Sequence, residues 1–595
     1  MRNPTEILKT LSEKSKDKSY RFQRLYRNLY NPDFYLLAYK NISKNQGSMT
    51  AGTDRKTIDG MSMDRINDII AKLRDHSYQP NPARREYIAK KNSTKMRPLG
   101  IPSADDKLVQ EVVRMILESI WEGNFSNNSH GFRPKRSCHT ALKHIDINFK
   151  GAKWFIEGDI KACFDCFDHH VLISALRKRI DDEYFIALIW KFLKAGYMEQ
   201  WNYHCTYSGT PQGSGVSPIL ANIYLDMLDE YIEEYKATFD TGVSKNRKIN
   251  PDYLKQQGDY FKACKNGGFS SKELKEMRWK YLKTPYYSAL DSGFKRIQYC
   301  RYADDFIIGV IGSKKDAEQI KEDIRIFLAE KLKLTLSETK TKITHTSKFA
   351  RFLGYDITVS RSQSVKRDKN GVLKREFNGR IMLYVPKEKW VGKLLEYRTM
   401  KIVRDKKGKE IWKPLHRGRL INLPDISIIS RYNAEIRGMY NYYCMANNVS
   451  VLNKFGYIME YSMYKTFAGK YRTTMGKVID KYKKNDVFTV PYDTKSGRKY
   501  CEFHHSGFRR RKQTTLDIDT TPAYRQYERP NQLALRLHTG RCELCNCQGK
   551  KIIMHHVRTL KELNGNFEWE QIMMKKRRKS IAVCKDCFDY ICRMK

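Results

Sequence analysis

Three aspartates stand at the ends of strand-like segments, and their spacing suits metal-dependent phosphoryl transfer. Asp304 and Asp305 interrupt the apolar, β-prone segment Ile297–Val310, which predicts a β-hairpin with two carboxylates at its tip. Asp159 lies at the end of a second buried-strand pattern, Lys153–Ile160. Mg²⁺ prefers oxygen ligands, and two such ions about 3.5–4 Å apart can activate a hydroxyl and stabilise a leaving oxygen. The alternative is that the Asp pair only closes a turn.

Two basic residues and one aromatic residue are candidates for contacting an incoming nucleotide. Lys91 and Arg97 bracket a polar turn between two strand patterns, and both residue types make charge-assisted contacts with phosphate. Phe164 follows Asp159 closely, so its ring is placed to clash with a ribose 2′-hydroxyl and to select deoxynucleotides. The alternative for Phe164 is an ordinary core position.

Helix and loop signals around these residues indicate how they are positioned. Ser103–Trp121 carries apolar residues at helical spacing behind a capping-box pattern, which predicts a scaffold helix. Ser129–His139 is a basic loop broken by Gly and Pro, interpreted as a template contact or a linker. Tyr207–Pro218 is rich in Gly, Pro and small residues, and such a loop lets backbone approach a ligand closely.

The composition indicates a globular protein that binds a polyanion. The 595 residues carry a formal charge of +46, from 112 Lys and Arg against 66 Asp and Glu, and 12% of them are aromatic. Nucleic acid is the polyanion that such an excess favours, and the run Arg509–Lys512 is interpreted as a DNA or RNA contact. The alternative is a generally Lys-rich proteome. The charged segment Met1–Lys18 has no secretory pattern and no apolar run spans a membrane, so we expect an intracellular protein.

Four of the 14 cysteines are patterned. Cys542 and Cys545 form one Cys-x-x-Cys pair, and Cys584 and Cys587 form another. Paired thiolates at this spacing are typical of a structural Zn²⁺ site, and unconnected free thiols are the alternative.

With these residues in view, the chain resembles the reverse transcriptase–maturase proteins encoded within group II introns, over essentially its whole length. The motifs that carry the resemblance are Arg97–Pro102, His130–Pro134, Gly158–Phe164, Thr210–Gly213 with Ser217–Asn222, Tyr302–Asp305, Phe352–Tyr355 and Arg437–Tyr443. The resemblance implies an α+β right-hand polymerase with fingers, palm and a helical thumb called domain X. It implies an RNA-directed DNA polymerase that also assists the splicing and mobility of its parent intron.

The resemblance also implies roles for single residues. Asp159, Asp304 and Asp305, with Ile160, would hold two Mg²⁺ ions. Lys91, Arg97, Phe164, Gln212 and Lys340 would contact the nucleotide, and Lys340 is a candidate for protonating the leaving pyrophosphate. The partners implied are group II intron RNA, target DNA, an RNA template with a DNA primer, dNTPs and, in a homodimer, a second copy of the chain. The resemblance further implies a cytoplasmic, nucleoid-associated bacterial ribonucleoprotein without membrane contact.

The same resemblance divides the chain into five regions. They are an N-terminal extension and the start of the fingers at 1–80, fingers and palm at 81–385 with an insertion at about 231–290, domain X at 386–480, a basic DNA-binding region at 481–530, and an HNH-like zinc domain at 531–595.

The last region departs from the family pattern. His555 would be a ligand of the catalytic metal and His556 the general base of an endonuclease. The further histidines that the motif supplies after the second Cys pair are replaced here by Phe588–Cys592. We therefore expect a zinc domain that binds DNA and cleaves it poorly or not at all, unless Asp589 or Cys592 substitutes.

Three alternatives stay open on sequence grounds. They are a maturase that only binds RNA, a mainly DNA-cleaving homing enzyme, and a free-standing reverse transcriptase of another retroelement. The three aspartates count against the first, the missing histidines against the second, and domain X with the zinc tail against the third.

Overall fold

The computed structural model describes residues 2–89, 96–199, 202–204, 213–288, 291–362, 364–368, 370–375, 379–494, 497–512 and 532–594. The chain is a mixed helix and strand protein. The first part contains α1 (Pro4–Lys14), α2 (Pro32–Ile42), β1 (Met61–Ser62), α3 (Met63–Arg74), β2 (Ala83–Ala89), β3 (Met96–Ile101), α4 (Ala104–Trp121) and α5 (Cys138–Asn148). The predicted scaffold helix is confirmed as α4, and Ser103 caps it by accepting a hydrogen bond from the Asp106 amide.

The middle of the chain surrounds one four-stranded antiparallel sheet in the order β7-β8-β4-β9. Its elements are β4 (Trp154–Asp159), α6 (Cys163–Cys166), α7 (His169–Arg177), α8 (Glu183–Lys194), β5 (Tyr197–Glu199), β6 (Asn202–His204), α9 (Ser217–Phe239), α10 (Pro251–Asn266), α11 (Ser271–Lys283), β7 (Arg296–Tyr302), β8 (Asp305–Ile311), α12 (Lys314–Glu330) and β9 (Lys342–His345). Helix α9 runs to Phe239, so the separate helical pair α10–α11 starts later than the predicted insertion boundary.

The central sheet is buried on both faces, which explains the continuous apolar pattern of its strands. Ile156 and Ile308 face one hydrophobic core, together with the N-terminal helices and α9. Phe155 and Ile307 face a second core, which contains α5 and the helices that follow residue 386. The alternation of neighbouring residues between the two cores fixes the register of the sheet.

The next part carries β10 (Ala350–Phe352), β11 (Tyr355–Val359), β12 (Val365–Arg367), β13 (Leu373–Arg375), β14 (Ile381–Tyr384), α13 (Lys387–Glu396), β15 (Met400–Arg404), β16 (Glu410–Pro414), α14 (Asp425–Tyr443), α15 (Leu452–Tyr471), α16 (Met475–Tyr482), β17 (Lys483–Lys484), β18 (Val487–Thr494) and β19 (Gly497–Glu502). Asn370 and Gly371 lie in the turn of the hairpin formed by β12 and β13. The region 386–480, for which the resemblance implies a helical domain X, also contains the hairpin β15–β16. The basic region at 481–530 contains the sheet β17-β18-β19.

The C-terminal part consists of α17 (Gln532–His538), β20 (Ile552–His556), α18 (Glu568–Lys576), β21 (Ser580–Cys584) and α19 (Lys585–Arg593). Strand β20 lies between β21 and the N-terminal β1, so the two ends of the chain share a sheet. We call residues 532–594, which carry the predicted Zn²⁺ site, the zinc module. Among the described residues, the helices are all too short or too polar to span a membrane.

Candidate active site and zinc module

The three predicted aspartates meet at one end of the central sheet. Asp159 is the last residue of β4 and lies directly opposite Asp305, the first residue of β8. Asp304 occupies the two-residue turn between β7 and β8, after Ala303 with a φ of +57°. Residues directly opposite each other on antiparallel strands bring their side chains together on one face. The predicted hairpin and its carboxylate pair are therefore confirmed as structure.

The protein environment makes the carboxyl groups of Asp304 and Asp305 hard to ionise together. Burial and the neighbouring charges of Asp304 and Asp159 raise the pKa of Asp305 to about 7. Burial and the charge of Asp159 also raise the pKa of Asp304. Carboxylates that repel one another in a partly buried site are a donor set of hard oxygens that a divalent cation would stabilise, so the residues fit Mg²⁺.

Two cationic side chains face this acidic cluster. Lys340 Nζ donates to both oxygens of Asp159, at 2.9 and 2.8 Å, and this hydrogen bond to Asp159 raises the pKa of Lys340. Arg97 projects from β3 as an exposed side chain whose charge opposes the upward shift of the Asp304 pKa. Lys340 therefore lies directly beside the carboxylates, and the charge of Arg97 reaches them; contact of either residue with a nucleotide stays a prediction.

Other predicted nucleotide contacts have mixed outcomes. Lys91 and Gln212 lie outside the described residues. Gly213, which follows Gln212, packs on β3 so closely that an added Cβ would lie 2.8 Å from the Gly100 carbonyl oxygen. Ile160, predicted among the Mg²⁺ ligands, is buried behind Asp159.

Phe164 lies on the short helix α6, which follows the end of β4 at Asp159. Its ring packs edge to face against Phe132, with ring centroids 6.2 Å apart, and lies 6.0 Å from Phe167. Phe164 is half-buried and Phe132 is 40% exposed, so both rings keep a surface that is accessible to solvent. Phe164 is thus not a fully buried core residue, although its ring packs against two other phenylalanines.

A buried ionic network that the sequence did not reveal supports the acidic turn. Arg301 on β7 is fully buried and pairs with Asp229 on α9, at 2.8 Å from its Nε and 2.5 Å from its Nη2. Arg301 also donates to the carbonyl of Ala303 in the turn and to the side chain of Asn222. Asn222 and Asp229 are two helical turns apart on one face of α9. The only available signal was a charged residue inside an apolar strand.

Close backbone contact fastens the loop before α5 to the same turn. A Cβ on Gly131 would lie 2.3 Å from the backbone nitrogen of Ala303, so no larger residue fits there. Asn222 donates to the Gly131 carbonyl at 3.0 Å. Arg133 is buried and donates to Glu122 and to backbone carbonyls, so this arginine is structural rather than a template contact. Phe132 keeps an exposed face in the same loop.

The turn between β10 and β11 docks on helix α14. Tyr442 Oη donates to the Leu353 carbonyl at 2.8 Å, and Tyr443 Oη donates to the Gly354 carbonyl at 3.2 Å. The two motifs Phe352–Tyr355 and Arg437–Tyr443 are therefore in direct contact. Two tyrosines of the α14 motif thus hold this turn in place.

The predicted basic contact at Arg509–Lys512 is partly tied to the chain itself. Arg511 donates its backbone amide to the Cys444 carbonyl, and its guanidinium lies 4.9 Å from the centroid of the Tyr440 ring. Arg510 Nε donates to the Met445 carbonyl. Lys512 remains exposed.

The four patterned cysteines come together in the zinc module. The sulfur atoms of Cys542, Cys545, Cys584 and Cys587 all lie within 4.8 Å of one another. Cys584 ends β21 and Cys587 lies in the first turn of α19. Hydrogen bonds from the backbone and thiol of Cys547 lower the pKa of Cys545 to about 6, so a thiolate forms readily there. Four sulfur donors so arranged fit a tetrahedral Zn²⁺.

The two candidate endonuclease histidines are buried. His555 is 0% exposed, and its ring meets Trp569 and Phe588 edge to face at 5.3 and 6.0 Å. Within the described chain, both His555 nitrogens lack a hydrogen bond, although Nδ1 lies 3.1 Å from an Asp59 oxygen outside bonding geometry. Burial lowers the pKa of His556 to about 4, and its Nε2 meets the Tyr39 hydroxyl.

Comparison with known protein families covers most of the chain. Residues 88–357 match the family described as reverse transcriptase (RNA-dependent DNA polymerase). Residues 378–528 match the type II intron maturase family, and residues 542–588 match the AI2M/AI1M-like HNH endonuclease family. The part that carries the acidic turn is thus a reverse transcriptase domain.

Three relatives match this chain over nearly its whole length. The group II intron-encoded protein LtrA of Lactococcus lactis subsp. cremoris is 44% identical, with 99% of each chain covered. An uncharacterized 91 kDa protein in a cob intron of Schizosaccharomyces pombe is 37% identical over 98% of this chain and 72% of its own. The putative COX1/OXI3 intron 2 protein of Saccharomyces cerevisiae is 35% identical over 93% of this chain and 64% of its own.

The domains and the relatives together define a polymerase of the retroelement class. More specifically, the chain belongs to the group II intron-encoded reverse transcriptase/maturase proteins. It is an RNA-directed DNA polymerase with a second role in intron splicing, and it binds intron RNA and a nucleic acid template and primer.

Proposed function

We propose that Asp159, Asp304 and Asp305 hold two Mg²⁺ ions and form the polymerase centre, with the Ile160 carbonyl beside them. The observation that carries this is the meeting of three carboxylates at one sheet end, where the pKa values of Asp304 and Asp305 are raised. Bound Mg²⁺ would activate the primer 3′-hydroxyl and stabilise the leaving pyrophosphate.

The cationic residues would bind and orient the nucleotide. Arg97 on β3 faces the cluster and offers a guanidinium fork to the triphosphate, and Lys91 and Gln212 would complete the nucleotide site. Lys340 is held beside Asp159 and stays protonated at neutral pH, because its pKa is raised. It would shield the carboxylates before the nucleotide arrives and is placed to give a proton to the leaving pyrophosphate.

Phe164 would exclude the ribose 2′-hydroxyl, and this role has a direct test. Phe164→Ala removes the ring, so we expect incorporation of rNTPs relative to dNTPs to rise by about 10–200-fold, the range for small steric differences in a pocket. Single-nucleotide incorporation kinetics with each sugar measure the ratio. Phe167→Leu, in the buried core next to it, is the control and should keep the wild-type ratio. An unchanged ratio in Phe164→Ala would assign the ring to packing alone.

The fold would be a right hand whose regions follow the predicted boundaries with one shift. We propose fingers and palm up to 385 with the helical insertion starting after Phe239, domain X at 386–480, a DNA-binding region at 481–530 and the zinc module after it. The docking of Phe352–Tyr355 on α14 supports a continuous surface for primer and intron RNA from palm to domain X. On the strength of the family resemblance we also propose that the protein binds target DNA and forms a homodimer. We further propose that it belongs to a cytoplasmic, nucleoid-associated ribonucleoprotein.

The four cysteines would bind one structural Zn²⁺. Cys584→Ser is expected to remove the metal and unfold the zinc module, because structural zinc contributes roughly 10–16 kcal/mol in zinc-finger peptides. Elemental analysis of the purified protein should give one zinc per chain in the wild type and none in the variant. The control is Cys264→Ser, which replaces an exposed cysteine of helix α10 outside the zinc module and should keep the metal. Full zinc content in Cys584→Ser would contradict the assignment.

The zinc module would not cut DNA efficiently. His555 is enclosed by Trp569 and Phe588 where a catalytic metal would need open positions for water and substrate. We therefore expect the protein with its intron RNA to leave the second DNA strand of a target uncut in Mg²⁺, as measured on an end-labelled duplex. His555→Ala should not change that result. Efficient second-strand cleavage by the wild type would overturn this proposal.

A further inference from the structure

Strand β20 of the zinc module is paired with the N-terminal end of the chain. Met61 lies opposite Met554 and Ser62 lies opposite Ile553, and both methionines are fully buried. The Gly60 amide donates to the Met554 carbonyl at 3.1 Å. Strand β20 is thus an interior strand between β1 and β21 rather than an open face for DNA.

The histidines lie inside this contact. The His556 amide donates to an Asp59 oxygen at 2.9 Å, and the His556 ring meets the hydroxyl of Tyr39 on α2. The same Asp59 oxygen is the one close to His555. Both imidazoles therefore face residues from the N-terminal region of the chain instead of solvent.

The edges of the contact are held by packing and one ion pair. Helix α17 packs against α2, and a Cβ on Gly60 would lie 3.5 Å from the Phe588 ring of α19. Lys551 pairs with Asp64 at 3.0 Å across the contact. Its neighbour Lys550 pairs instead with Asp586 inside the module, at 2.7 Å. Contacts from α17, β20 and α19 all converge on residues 57–64 and α2.

We propose that the zinc module is an intramolecular brace for the N-terminal region of the reverse transcriptase, docked through the strand that carries the endonuclease histidines. The segment 57–64 needs such support, since β1 has only two residues and a strand that short is not stable alone. Ser62 caps helix α3 by accepting from the Arg65 amide, so fixing β1 also fixes the start of α3. On the other side, β20 pairs with β21, which ends at the zinc-site residue Cys584. Zinc binding is in this way connected to the order of residues 57–64.

Hydrogen–deuterium exchange on the full-length protein tests the brace. Peptides covering 57–64 should be protected in the wild type. His556→Ala removes a buried contact and should speed their exchange about tenfold, the effect of losing one buried hydrogen bond. Lys551→Glu should speed it less, and the matched control Lys550→Glu should leave 57–64 unchanged. Peptides from the β7–β8 hairpin should keep wild-type exchange in all three variants.

Removing zinc with a zinc-selective chelator provides a second test without any substitution. Once elemental analysis shows that the metal has left, peptides 552–556 and 57–64 should lose protection together. If 552–556 opens while 57–64 keeps its wild-type exchange, the module is not a brace. Rapid exchange of 57–64 in the zinc-loaded wild type would equally overturn the proposal.

Discussion

Asp304→Ala is expected to lower primer extension on an RNA template by more than about 100-fold, since loss of even an outer-shell partner of a metal ligand costs 10–100-fold. Asp304 lies in the turn beside Asp159 and Asp305, and its replacement by alanine removes one of the three carboxylates that would bind Mg²⁺. Extension of a labelled DNA primer in Mg²⁺ with dNTPs measures the loss. Binding of the intron RNA should not weaken, because the carboxylate repels RNA rather than holding it.

The control is Asp259→Ala, which removes an exposed aspartate of helix α10 and should extend the primer like the wild type. The Asp304→Ala protein also separates the two roles of the chain, because splicing assistance should survive in it if that role depends on RNA binding. Extension at the wild-type rate by Asp304→Ala would move the polymerase centre away from this turn.

Asp229→Ala is expected to lower the free energy of unfolding by about 3–5 kcal/mol, the cost of leaving a buried charge unpaired. Arg301 and Asp229 are both fully buried, and the guanidinium also holds the turn carbonyl of Ala303. The substitution therefore weakens the acidic turn as well as the fold, so we expect primer extension to fall with stability. Denaturant unfolding followed by fluorescence gives the stability change.

Two further variants show whether the unpaired charge is the cause. The double substitution Asp229→Leu with Arg301→Met removes both charges and should recover most of the stability, since apolar replacements of a buried pair are often neutral. Glu322→Ala removes the partner of exposed Arg325 and should leave stability unchanged. A double variant no more stable than Asp229→Ala would show that Arg301 contributes through other contacts.

The sequence by itself determined the features that depend on neighbours along the chain. The apolar runs at Lys153–Ile160 and Ile297–Val310 predicted β4, β7 and β8, because a short run of consecutive apolar residues is typical of a buried strand. Capping predicted the start of α4, and Cys-x-x-Cys spacing predicted the sulfur cluster. Strand β19 could not be predicted within the basic region at 481–530, because most of its residues are exposed and it has no apolar alternation.

Only the tertiary structure decided which distant residues meet. Lys340 on Asp159, Gly131 against Ala303 and Arg301 on Asp229 join segments far apart in the chain, and no local periodicity encodes such pairs. The buried contact between His556 and Tyr39 joins residues that are 517 positions apart in the chain. Contacts between distant parts of the chain form when helices and strands pack together. The sequence therefore predicted the carboxylates but not the ionic network that holds them. It also predicted a weak endonuclease, but not that the two histidines lie inside an interface.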